Sequence, residues 1–238
     1  MNLKTLALFL LIPGALSAAE PTPKIPASFY AFNYVPGHES VSIRTGPEGF
    51  EEIRLSKANI VGPVNAVIVE GTLMIHSKPV SVEGKTTHPV IGSVKIPADL
   101  RRALVVLFPE ANNPATPYRC ILLNHDLNDF PLGAYRMINV SPHPVRGSVA
   151  RQYVEAKPGG MADLEPMGEP GAIVPVRFEF FDKGRWNLLT ETRAAIRKDR
   201  RWLTCVYQDP VTGRMNIRSI PDRTNGVSAA TNPNPSPD

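Results

Sequence analysis

The chain has little sulfur, few aromatic rings and no decisive charge. Two cysteines occur in 238 residues, aromatic residues make up 7%, and the formal net charge is +4 at pH 7. Two thiols cannot supply the dense framework of a disulfide-stapled domain or a four-cysteine zinc site. So small a basic excess is not that of a nucleic-acid binder. Beyond Glu20 no apolar run approaches the roughly 20 residues a membrane-spanning helix needs. The usual signatures of chemistry are missing as well. There is no GxSxG elbow, no HxxxH or HxH pair, and no glycine loop that opens a helix, since Gly159-Gly160 runs on into a polar, proline-bearing stretch. The adjacent carboxylates Glu51 and Glu52 would point to opposite faces of a strand, so they do not make a glycosidase pair. The sequence calls for no cofactor.

What is present begins with MNLKTLALFLLIPGALSAAE. Lys4 supplies a short basic region, Leu6 to Ile12 is wholly apolar, and Ser17-Ala18-Ala19 offers small residues at a cleavage point after Ala19. That is the pattern of a secretory signal peptide over 1–19, and it places the mature chain in the periplasm or outside the cell. In such a compartment Cys120 and Cys205 could pair as a disulfide. The alternative is two buried free thiols, because cysteine also serves as a small core residue.

The body of the chain has β periodicity. VSIRT (41–45), VRFEFF (176–181) and MNIRSI (215–220) alternate apolar and polar residues, as half-buried strands do. NAVIVEG (65–71), ALVVLF (103–108) and CILLN (120–124) are apolar on both faces, as suits central strands. Turn formers such as VPGHE, TGPEG and FFDKGR separate them. PADLRRAL (97–104) offers at most a turn or two of helix, and LTETRAAIRKD (189–199) is read as strand and hairpin. The expectation is an all-β protein of immunoglobulin-like sandwich units, two in tandem, with few or no helices after the signal peptide. The boundaries follow composition: an extended leader over 20–27, a first unit over 28–108, a Pro- and Asn-rich linker or long loop over 109–117, a second unit over 118–222, and a disordered tail over 223–238.

Three segments invite a functional reading. NHDLND (124–129) brings His125, Asp126 and Asp129 close together, all conceivable metal ligands. Their spacing fits no calcium or zinc template, so a surface turn shaped by Asn and Asp side chains is expected, without metal. RAAIRKDRRW (193–202) could hold an anionic envelope polymer through Arg197, Lys198, Arg200 and Arg201, with Trp202 as a stacking face. The competing reading is a hairpin with solvated charges and Trp202 in the core. KPGGMADLEPMGEPGA (157–172) reads as a long loop, either an apolar contact surface or a lid over one end of a sandwich.

With LGAYRMINVSPHPVRGSV, the signal peptide and the KIP…ALVVLFP run, the chain resembles secreted bacterial β-sandwich proteins of unassigned function. That resemblance implies export and a sandwich, and it transfers no catalytic residue. The expected role is non-catalytic binding or scaffolding at the cell envelope, with an anionic envelope component or another envelope protein as partner. Two alternatives stand beside it: an envelope-polymer hydrolase whose site is assembled from distant residues, and an accessory module that binds partners by strand addition.

Overall fold

The computed structural model describes residues 22–110, 113–209 and 212–223. The expected signal peptide lies outside them, as does the expected tail apart from Arg223. In chain order the strands are β1 (Lys24–Ala31), β2 (Ser40–Arg44), β3 (Phe50–Arg54), β4 (Val61–Val67), β5 (Thr72–His76), β6 (Val80–Val82), β7 (Lys85–Thr87), β8 (Val90–Lys95) and β9 (Ala103–Pro109). They continue with β10 (Tyr118–Asn124), β11 (Tyr135–Asn139), β12 (Val145–Val149), β13 (Gln152–Ala156), β14 (Met161–Leu164), β15 (Ile173–Asp182), β16 (Arg185–Ala195), β17 (Arg201–Gln208) and β18 (Met215–Asp222). No helix occurs among the described residues, and so none that could cross a membrane.

Four four-stranded sheets carry the architecture. Sheet I runs β10-β9-β1-β4, sheet II β3-β2-β5-β8, sheet III β14-β11-β17-β18 and sheet IV β13-β12-β15-β16, with β6 and β7 as a separate hairpin. The connectivity of sheets I and II recurs strand for strand in III and IV. The opening strand β1 pairs antiparallel with β4 and parallel with β9. Its counterpart β11 pairs antiparallel with β14 and parallel with β17. β2 sits between β3 and β5 as β12 sits between β13 and β15. The β6–β7 hairpin is an extra between β5 and β8, where the second half makes a tight turn from Asp182 to Arg185.

Side-chain alternation builds three cores. In β1, Ile25, Ala27, Phe29 and Ala31 pack between sheets I and II with Ile43, Ile75 and Val105. Met137, Val145, Val176 and Phe178 fill the space between sheets III and IV. Gly147 stands where a Cβ would come within 2.5 Å of the Phe178 ring, so the absence of a side chain lets that ring lie against β12. The third core is a seam between the sheet pairs. Tyr30, Phe32, Leu104, Val106 and Phe108 from sheet I and its continuation meet Ile138, Leu203, Cys205 and Ile220 from sheet III. The runs that are apolar on both faces, ALVVLF above all, are apolar because β9 serves two cores at once.

Several boundaries fall elsewhere than composition suggests. β1 begins at Lys24, inside the segment read as a leader, because Ile25 and Ala27 already belong to a core. The proline-rich 109–117 joins β9 to β10, which are neighbours in sheet I. The chain crosses to the second sheet pair in 125–134, between β10 and β11. Residues 97–100 form a turn closed by Leu100 N–H donating to the Pro97 carbonyl. The 157–172 segment contains β14, and 189–195 is strand as expected. Cys120 and Cys205 are not paired: both are free thiols. Cys120 packs against the core between sheets I and II, and Cys205 lies in the seam, so sheet I stands between them. Burial pushes both thiols up to about 12. Denatured, unreduced protein should therefore titrate two thiols, whereas the folded protein should react with neither on the same timescale. One disulfide in place of the two thiols would contradict this placement.

Candidate functional site

NHDLND turns out to be the crossing between the sheet pairs. Its Asn and Asp side chains do shape the backbone. Asn124 Oδ1 accepts from the Asp126 N–H at 3.0 Å, Asp126 Oδ1 accepts from Asn128 N–H at 2.9 Å, and the Phe130 N–H reaches the Asp126 carbonyl at 2.9 Å. The turn also does something the sequence did not announce. It delivers Phe130, 1% exposed, into the interior between two guanidinium groups. The Arg136 carbon Cζ lies 4.6 Å from the ring centroid and that of Arg201 lies 4.8 Å away.

Each arginine is fully engaged. Arg201, 0% exposed, donates to Asp222 Oδ2 and to the Phe130 and His125 carbonyls. His125 Nε2 donates to the same Asp222 oxygen at 2.7 Å. Arg136 holds Asp163 bidentately, at 2.8 Å from Nε and 2.6 Å from Nη2. It also donates to the Asn124 and Asp129 carbonyls at 3.0 and 3.1 Å, and lies 2.9 Å from the Asp129 carboxylate. Burial would raise Asp222, but the His125 hydrogen bond and the charges of His125 and Arg201 outweigh it and hold the carboxyl below its ordinary range. Burial pushes the Arg201 guanidinium down against the pull of Asp222. The buried charged groups of this joint all face partners inside the protein. Asp126 and Asp129 reach solvent at a cleft of about 280 Å³ that also includes Asp99 and Arg101. Among the described residues no three His, Cys, Asp or Glu side chains converge on a point where a metal could sit.

The basic run near the joint is divided by the fold rather than displayed as one surface. Arg201 is the buried anchor just described. Trp202 stacks on Tyr135 at 6.0 Å and packs on the core between sheets III and IV, with its indole N–H buried and without a partner. Arg200 is paired with Asp199 at 2.6 Å, Arg197 approaches the same carboxylate at 3.6 Å, and Lys198 donates to the Pro166 carbonyl at 3.3 Å.

A second surface was not singled out by sequence. It is the outer face of sheet IV, whose other face lines the core. Alternation turns Arg146, Tyr153, Glu155, Arg177, Glu179, Phe181, Trp186, Leu188 and Glu191 outward. Pairing sets these in rows: Glu155–Arg146–Glu179–Leu188, then Tyr153–Ser148–Arg177–Glu191, with Phe181–Trp186 beyond. Arg146 lies 4.3 Å from the Trp186 ring and 5.9 Å from the Tyr153 ring. Glu179 is only 7% exposed, covered by the two arginines that bind it, Arg146 at 2.5 Å and Arg177 at 2.7 Å. Those hydrogen bonds, from Arg146 first and then Arg177, hold its carboxyl below the usual range. The apolar groups stay open: Tyr153 is 52% exposed and Leu188 54%. The available signal was the alternation of VRFEFF, whose polar positions Arg177 and Glu179 lie on an interior strand of this face.

Comparison with protein-family models and with curated proteins returns no match.

The joint makes a stability prediction. Asp222→Asn leaves the buried Arg201 charge without its counter-ion, and that should cost about 3–5 kcal/mol in denaturant unfolding. Because the folded-state pKa of Asp222 is depressed, its contribution is complete above the ordinary carboxylate range and is lost as pH falls through its lowered value. The variant should therefore show a flatter acid limb than the parent. Equal stability at neutral pH would contradict the role assigned to the joint.

Proposed function

We propose that the chain is exported and works at the cell envelope as a non-catalytic, immunoglobulin-like tandem β-sandwich protein that binds or scaffolds an envelope component. The observation that carries this reading is the outer face of sheet IV, where Tyr153 and Phe181 are exposed and Trp186 is half-buried between arginine–carboxylate pairs. Flat rings take up the apolar faces of sugar units, and fixed polar groups beside them hydrogen-bond to hydroxyls. Arginine and glutamate alternate on this face and largely neutralise one another. The chemistry therefore suits a saccharide chain rather than a strong polyanion. His125 and Asp222 spend their polar atoms on holding the two halves together, which favours binding over hydrolysis.

Cleavage after Ala19 would deliver this module outside the cytoplasm, where such polymers are found. A second reading, capture of a partner by strand addition, draws support from β16, which lies at the edge of sheet IV.

The test is co-sedimentation with isolated envelope polysaccharide. Tyr153→Ala and Trp186→Ala should each weaken binding by about tenfold, the equivalent of ~1.4 kcal/mol for one lost ring contact. Unchanged retention in the double variant would remove the face from consideration. Release of soluble sugar fragments by the purified protein would replace the binding reading with the hydrolase.

A further inference from the structure

β16 is an eleven-residue strand that pairs on one side only among the described residues. Long edges of this kind are normally blunted, since their unpaired N–H and C=O groups template another strand. Here the N-terminal half is bent by a bulge, where the register with β15 shifts between Phe178 and Glu179. The stretch after it is regular, and Glu191, Thr192 and Arg193 are all exposed. The strand holds no proline and no lysine.

The direction of the backbone groups follows from the hydrogen bonds at its end. Ile196 N–H donates to the Ala172 carbonyl, and the Ile196 carbonyl accepts from Gly171, so Ile196 faces the β15 side. By alternation Thr192 and Ala194 also face β15, whereas Glu191 and Arg193 turn their N–H and C=O outward to the open edge. Their side chains lie on the outer face, where Arg177 already reaches Glu191 at 3.0 Å. Arg193 has no carboxylate in reach among the described residues, and it sits beside Pro175 of β15.

We propose that the edge of β16 binds the same edge of a second copy of this chain, antiparallel and centred on Thr192. The sequence Glu191-Thr192-Arg193 is self-complementary in charge about that centre. Glu191 falls opposite Arg193 of the second copy, twice, and both members of each pair present outward backbone groups, as a hydrogen-bonded antiparallel pair requires. The two Thr192 residues meet as the non-hydrogen-bonded pair between them. A register centred one residue earlier sets Glu191 against Glu191, and one residue later sets Arg193 against Arg193, so like charge disfavours both neighbours. In the favoured register each Glu191 stands between its own Arg177 and the second copy's Arg193. The charge alternation across sheet IV thus continues over the junction. The product joins the two copies of sheet IV into one continuous sheet, with its ring-bearing face doubled in length and a closed isologous interface.

The experiment is the oligomeric state of the mature chain by light scattering, and it does not depend on any ligand. The parent should be a dimer at micromolar concentration. Arg193→Glu and Glu191→Arg should each be monomeric, because each sets like charges opposite one another. An equimolar mixture of the two variants should recover the dimer. One variant then carries acids at both positions 191 and 193 and the other carries arginines at both, so every cross-strand pair is again of opposite charge. Arg193→Pro, which removes an outward donor and no hydrogen bond within sheet IV, should also be monomeric and still folded, its melting temperature lower only by the loss of association. A monomeric parent overturns the proposal. So does a dimer that survives Arg193→Glu, or a mixture that stays monomeric while both variants are folded.

Discussion

The Arg201 guanidinium has to be satisfied where no water reaches it, and that requirement fixes how the two sheet pairs sit. Its three partners come from two places: the Asp222 carboxylate at the end of β18, and the His125 and Phe130 carbonyls in the crossing segment. None of them can shift without leaving a buried cation unpaired, which costs far more than a surface ion pair contributes. The apolar seam of Tyr30, Val106, Leu203 and Ile220 supplies non-directional attraction that would tolerate sliding. The arginine joint at one end removes that freedom. Toward β18's other half, Arg218 stacks over the Phe32 ring at 4.5 Å and donates to the Phe32 carbonyl. Two arginines on sheet III therefore hold the seam in register.

Much of the fold is legible in the sequence because alternation is a local property. VSIRT, VRFEFF and MNIRSI name their strands, and the two-faced runs ALVVLF and CILLN mark the sheet that lies between two cores. The boundary between the halves is not legible. Composition points to the prolines of 109–117, yet a proline-rich stretch is equally suited to a loop within one sheet, and that is what it is. The true crossing carries Phe130 and Ala134, both of which are buried. Repetition is hidden for a similar reason. The repeat that relates β1 to β11 and β9 to β17 lives in the pairing rather than in residue identities.

The candidate sites divide along the same line. His125, Asp126 and Asp129 are close in sequence, and the turn they make is local, so it could be anticipated. The coupling of His125 to Asp222 and Arg201 spans most of the second half and leaves no trace in spacing. The basic run 197–202 looks uniform in sequence, but strand alternation and the onset of β17 send Arg201 inward while Arg200 stays beside Asp199. The face of sheet IV is assembled from four strands, so no window of sequence contains it.

The parallel pairing of β1 with β9 has a consequence for timing. Ala27 meets Ala103, and in the second half Tyr135 meets Trp202. The opening strand of each half is thus central in its sheet but waits for almost the last strand of that half before it is enclosed. Contacts so distant along the chain form slowly, because loop closure must precede them. A chain emerging end-first, from a ribosome or through a translocation channel, holds β1 without its parallel neighbour until residues 103–109 have followed. Until then one edge of β1 is uncovered, and the face that carries Tyr30 is covered only when sheet III arrives. The order of strands therefore leaves the opening strand of each half without one of its two neighbours until that half is nearly complete.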